Sequence, residues 1–175
     1  MSCVRPCCCS SKCVAIRAFG NPYGSILRVQ TVGFQEYCSD VLPNEWMPSW
    51  DPASLRAGAM AVRMFAWYHH LHPVTVGGFT FDVDNTANFQ VFRYQSGTPA
   101  TDQAVQTVWP YACALPGGGI APLDYRAGWR NTANWPLARS QKVSQWGSEY
   151  LANSGRSYLQ ILGFYFPGRA WLRVP

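Results

Sequence analysis

Charge is scarce in this chain of 175 residues, of which only 13% are charged. Lysine is nearly missing (Lys12 and Lys142), so the net charge of +5 comes almost wholly from arginine. The arginines are scattered rather than clustered, and there is no RNA-binding signature or helix-turn-helix pattern, which argues against a nucleic-acid partner. No apolar run is long enough to span a membrane, and no hydrophobic segment precedes a cleavage site. An extracytoplasmic role would then need a signal already removed, or another export route, for example as part of a phage-like particle. Histidine is limited to His69, His70 and His72. Their place at the end of a helix suits free carbonyls and the helix dipole better than a metal. No metal or cofactor is expected.

Aromatic residues, by contrast, are abundant, with 8 Trp, 9 Tyr and 9 Phe. They serve either an aromatic-rich core or the stacking of sugar rings. The length allows one sizeable core. Residues 1–20 read as a Cys-rich leader carrying Cys3, Cys7, Cys8, Cys9 and Cys13, and residues 21–175 as the domain proper. Cys38 and Cys113 are the candidate internal disulfide, which would fit an extracytoplasmic protein. Ile26 to Val32 alternates as a strand, and Phe34 to Val41 reads as a short helix. Strands are expected at Phe79–Phe81 and Phe89–Tyr94, and helices at 101–108, 141–153 and 158–164. An Arg-rich strand closes the chain. Short helices with irregularly placed strands predict an α+β fold, a single compact domain with small mixed or antiparallel sheets.

The most informative stretch is Val41-Leu42-Pro43-Asn44-Glu45-Trp46-Met47-Pro48-Ser49-Trp50-Asp51. It sets one carboxylate between two prolines and among large apolar side chains. Apolar neighbours remove the water that stabilises a carboxylate's charge, and a Glu protonated near neutral pH is what a general acid requires. The plainer reading is an exposed loop residue ahead of a helix. That helix has a strong start: Asp51 accepts free backbone N–H groups and Pro52 fits the first helical position. It runs to about His70, with small residues that allow close packing. Arg56 and Arg63 share one face of it. Arg63 lies among Val62, Met64 and Phe65, where a buried guanidinium needs an acceptor.

Asp40 to Arg63 resembles the core of the stage II sporulation protein D family, also called amidase enhancers. Val143-Ser144-Gln145-Trp146-Gly147, Gly155-Arg156-Ser157-Tyr158 and Tyr165-Phe166-Pro167-Gly168 resemble its closing segment, so the likeness spans about residues 25 to 172. The resemblance implies peptidoglycan chemistry: relatives cleave the glycan strand as lytic transglycosylases, often after an amidase has stripped the peptides. It puts the essential glutamate on Glu45 and the assisting arginine on Arg63. One carboxylate then suffices, because the sugar's own 6-hydroxyl replaces water as nucleophile, whereas a hydrolase needs two. Trp46, Trp50, Ser144, Gln145 and Tyr165 are the expected lining of a groove for glycan strands. Ser144 and Gln145 fit equally well as cap and packing of the following helix. The alternative function is a non-catalytic wall-binding or amidase-activating module, or a component of a larger secreted assembly. Two departures stand out. The zinc-binding Cys and His that some relatives carry in the middle region have no counterpart in residues 82–90. Its Gly-His-Gly-x-Gly-Met run is replaced by Ala138-Arg139-Ser140-Gln141-Lys142-Val143, which restricts the backbone.

Overall fold

The computed structural model describes residues 11–115 and 118–174. Its centre is α2, Pro52–Leu71, started by Asp51, whose Oδ1 accepts the Ala53 N–H at 2.7 Å. Nearly every residue from Ser54 to Trp67 is buried, including Ala57, Gly58, Ala59, Ala61 and Ala66. A helix apolar on all sides must be enclosed, and α1 (Phe34–Glu45), α3 (Pro99–Val108), α5 (Gln145–Asn153) and α6 (Tyr158–Tyr165) pack around it. The short α4 covers Trp135–Arg139.

Strands β1 (Ser11–Arg17) and β2 (Ile26–Gly33) pair antiparallel, and β5 (Val83–Asp84) joins β1 in parallel. Three two-stranded pieces complete the described residues. They are the hairpin β3–β4 (Val74–Val76, Phe79–Phe81), antiparallel β6–β9 (Tyr111–Ala114, Ala170–Arg173) and parallel β7–β8 (Tyr125–Arg126, Val143–Ser144). The protein is therefore α+β, with six α-helices and small mixed sheets among the described residues. None of these helices is long and apolar enough to cross a membrane.

Several local expectations are revised. Part of the expected leader, residues 11–17, is the central strand β1, with Val14 and Ala15 fully buried; residues 1–10, with Cys3, Cys7, Cys8 and Cys9, lie outside the described residues. Helix α1 continues past Val41 through Pro43 to Glu45. The proline removes one N–H from the ladder, and beside it Asn44 Nδ2 and Ser96 Oγ each donate to the Asp40 carbonyl at 2.7 Å. Phe89–Tyr94 is a loop rather than a strand. Its backbone is committed elsewhere: the Val91 N–H donates to Glu45 Oε1 at 2.8 Å. Downstream, the buried Asp40 carboxylate accepts from the N–H groups of Gln95 and Gly97 at 2.9 and 3.0 Å. Cys38 and Cys113 are free thiols, not a disulfide. Each fills a core position as a small apolar side chain, Cys38 on α1 and Cys113 on β6 with its N–H on Met64 Sδ. Burial pushes their thiols up, to about 12 and about 11.

One close approach fixes α1 against α2. The indole of Trp46, which follows α1, lies so near Gly58 that a Cβ there would sit 2.5 Å from Trp46 Cδ2. Trp46 is 1% exposed and has Tyr125 edge-on behind it, with ring centroids 5.0 Å apart. Gly58→Ala gains helix propensity, yet the overlap should dominate and cost about 1–3 kcal/mol, a fall in Tm of about 3–10 °C for a chain of this size. A melting curve checks this; an unchanged or higher Tm would mean that the indole can shift freely.

Candidate active site

Glu45 is the last residue of α1, and three local facts aim it. Trp46, its neighbour, is seated on Gly58. The Trp46 Nε1–H donates to Ser148 Oγ at 3.0 Å, and that hydroxyl donates to the Gln145 carbonyl at 2.7 Å and pairs with Ser54 Oγ at 2.8 Å. Gln145, the first residue of α5, returns to the loop: its Nε2 donates to the Glu45 carbonyl at 2.7 Å and to Oε2 at 3.0 Å. Glu45 thereby faces a cavity of about 440 Å³ lined also by Phe65, Asn88, Phe89, Val91, Asp124, Tyr125, Arg126 and Gln145.

Burial raises the Glu45 carboxyl above the ordinary carboxylate value, while hydrogen bonds from the Val91 N–H, Gln145 and the Tyr125 hydroxyl pull the other way. These partners belong to a buried chain. Tyr37 OH donates to Gln90 Oε1 at 3.1 Å, and Gln90 Nε2 donates at 3.2 Å to both the Val62 carbonyl and the Tyr125 oxygen. With its oxygen occupied by the Gln90 amide, Tyr125 has its proton left for Glu45. Burial also holds the Tyr125 phenol neutral by raising its pKa well above the ordinary value.

The expected site residues separate in the structure. Glu45 and Gln145 share the cavity. Arg63 does not line it. Its side chain is 4% exposed, Nη1 donates to the Tyr111 carbonyl, and the guanidinium lies 5.2 Å from the Trp67 ring centroid and 4.7 Å from that of Trp109. The reason is helical geometry: Phe65 of α2 faces the cavity, and a residue two positions away is rotated by about 200°. Trp46 is core rather than groove. Ser144 is buried as the cap of α5, its Oγ accepting the Gly147 N–H at 2.9 Å, and Tyr165 is buried with its OH donating to the Ala133 carbonyl at 2.8 Å. Trp50 packs at a tilt against Trp146, with ring centroids 4.7 Å apart, and lines a separate cavity of about 150 Å³ with Pro52 and Arg56. Arg139, in place of the family's histidine, is exposed at the end of α4.

Sequence reasoning missed Asp124, Tyr125 and Arg126. A weak signal was present: in Leu123-Asp124-Tyr125-Arg126, buried and more exposed positions alternate with a period of two. The run is too short to be recognised without its partner β8. Asp124 supplies a second carboxylate to the cavity from a distant part of the chain. His69 stands nearby, tilted against Phe65 at 4.4 Å and edge-on to Phe89 at 5.0 Å, and burial lowers its pKa. No group of three or more His, Cys, Asp or Glu side chains able to hold a metal occurs among the described residues.

Comparison with known proteins places the chain in a family. A 73-residue stretch is 38% identical to an uncharacterized protein of Brachyspira hyodysenteriae (strain ATCC 49526 / WA1), covering 41% of this chain and 19% of that protein. The chain thus matches about a fifth of its relative's length. The family model for stage II sporulation protein (SpoIID), a cell-wall related family, matches residues 23–109, which include α1, the Glu45 loop, α2 and the Val91 loop. The matched segment holds Glu45, Phe65, Phe89 and Val91 of the cavity, while Asp124, Tyr125, Arg126 and Gln145 lie beyond it; the chain belongs to the SpoIID family of stage II sporulation proteins.

Proposed function

We propose that this protein acts outside the cytoplasm and cleaves the glycan strand of peptidoglycan as a lytic transglycosylase, with Glu45 as both acid and base. The observation that carries the reading is a largely buried glutamate in a cavity whose polar contacts to it are all donors. The Val91 N–H and the Gln145 amide cannot accept a proton, and the Tyr125 oxygen already accepts a hydrogen bond from the Gln90 amide. A proton on Glu45 therefore finds its acceptor in the cavity, where a glycosidic oxygen would lie.

In this mechanism Glu45 gives its proton to the glycosidic oxygen as the bond to the anomeric carbon breaks. The 6-hydroxyl of the same sugar attacks that carbon, and the Glu45 carboxylate takes up the hydroxyl proton, forming an anhydro-sugar without water. The donors that oppose protonation in the resting state stabilise the carboxylate once the proton has left. Asp124, on the same cavity, would offset positive charge developing at the anomeric carbon. Arg63 would act through the packing of α2 rather than by touching substrate.

A second reading, glycan binding without cleavage, draws on the position of Arg63 away from the cavity. Product analysis separates the two. Wild-type protein with peptide-stripped strands should yield anhydro-sugar ends by mass spectrometry, and Glu45→Gln should lower the rate about 10²- to 10⁴-fold with the fold intact. Binding without new ends supports the second reading. Reducing ends would make Asp124 the partner of a hydrolytic pair and contradict the first. Tyr125→Phe removes one donor from the carboxylate and so raises the Glu45 pKa. Its alkaline pH–rate limb should move up by roughly one pH unit, with kcat lower by about tenfold. An unmoved limb would reduce Tyr125 to a packing residue.

A further inference from the structure

A second cavity, of about 550 Å³, meets the first along a common wall: Ala87 and Val91 line both. The outer cavity carries Phe19, Arg28, Arg93 and Tyr94 and has no Asp or Glu in its lining. Among the described residues the ion pairs are Arg17–Asp84 and His70–Asp82, so Arg28 and Arg93 present exposed charge to this space without a carboxylate on either. Phe19 is fully exposed (104%) and has φ 54°, a left-handed conformation that is uncommon for a side chain of that size. Tyr94 is 56% exposed.

The arrangement is built rather than incidental. The partly buried ion pair of Arg17 with the buried Asp84, at 2.6 Å, fixes the end of β1 just before Phe19, and Arg17 Nη1 donates to the Gly24 carbonyl at 2.8 Å. The Ala18 N–H donates to the Ser25 carbonyl at 3.0 Å, closing the loop. Asn88 Nδ2 ties this loop to the shared wall, donating to the Pro22 carbonyl at 2.9 Å and to Asp84 Oδ2 at 3.2 Å. The strained, exposed aromatic is therefore held in place beside the cavity that contains Glu45. Strain of this kind persists where the surroundings over-determine it, and such positions cluster at ligand sites.

We propose that the outer cavity is a binding site for a carboxylate-bearing saccharide, the length of strand next to the bond cleaved at Glu45; this rests on the reading above. Aromatic faces such as Phe19 and Tyr94 pack on the apolar faces of sugar rings. The guanidinium groups of Arg28 and Arg93 match carboxylates with paired N–H donors. In peptidoglycan the carboxylate is either the lactyl group of a stripped strand or an acid of the attached peptide. The chemistry read by the arginines is the same in both.

The test measures binding alone, with Glu45→Gln protein as the non-cleaving background, by calorimetry. Three ligands are compared: peptide-stripped glycan strands, strands with their peptides, and a neutral N-acetylglucosamine oligomer. The background protein should prefer at least one carboxylate-bearing strand over the neutral oligomer by roughly tenfold, and adding Arg28→Gln with Arg93→Gln should abolish that preference. Loss confined to stripped strands assigns the lactyl group, and loss confined to peptide-bearing strands assigns the peptide; both support the site. Phe19→Ala should weaken all three ligands alike. Unchanged affinities in the double-arginine variant would overturn this inference while leaving the role of Glu45 standing. Failure of the background protein to bind any glycan would overturn both. A single-stranded oligonucleotide bound more tightly than the stripped strand through the same arginines would also overturn it.

Discussion

The contact of Trp46 with Gly58 is the constraint on which the rest of the site depends. A side chain of that size can lie flat on a helix only where the helix offers a residue without a Cβ. Once seated, the indole has one polar atom, and its N–H goes to Ser148. That hydroxyl in turn holds the carbonyl of Gln145, so one buried ring sets two residues at once: Glu45, which precedes it in the chain, and Gln145, whose amide reaches the glutamate from α5. A packing event between α1 and α2 thus becomes a geometric statement about a carboxylate a hundred residues away in sequence from its amide partner.

The electrostatics follow from the same frame. Burial alone would make Glu45 a carboxyl that never ionises readily, and donors alone would make it one that never holds a proton. The site combines the two, with burial the larger effect. The opposing donors are themselves fixed: Asp40 clamps the backbone beyond Val91, and Gln90, held by Tyr37 and the Val62 carbonyl, orients Tyr125. An acid that must later act as a base needs both protonation states within reach, and a rigid donor set costs nothing to reorganise when the charge appears.

Much of this was legible in the sequence, and for definite reasons. Asp51-Pro52 announces a helix start by local hydrogen bonding alone, and the Pro-bounded Glu45 stretch among apolar residues announces a carboxylate short of water. The α+β class follows from the mixture of element lengths. What was not legible depended on distant partners. Phe89–Tyr94 has the composition of a strand, but its Val91 N–H serves a side chain instead of a neighbouring strand. Arg63 sits in an apolar helix stretch that fits a catalytic guanidinium as well as one held by a backbone carbonyl and two indoles; only the rotation of α2 relative to Phe65 distinguishes them. Trp46 and Tyr165 have the composition of sugar platforms and the burial of core residues. Asp124 and Tyr125 come from a two-residue strand that periodicity cannot detect without β8.

The central claim is that Glu45 holds its proton above the ordinary carboxylate range because it is buried against a cavity. Carboxyl-¹³C titration of the protein measures this directly, since the chain has three glutamates and Glu45→Gln assigns the resonance. The account predicts a midpoint for Glu45 clearly above the ordinary carboxylate value. A midpoint at that value or lower would contradict it, because the donors would then outweigh burial.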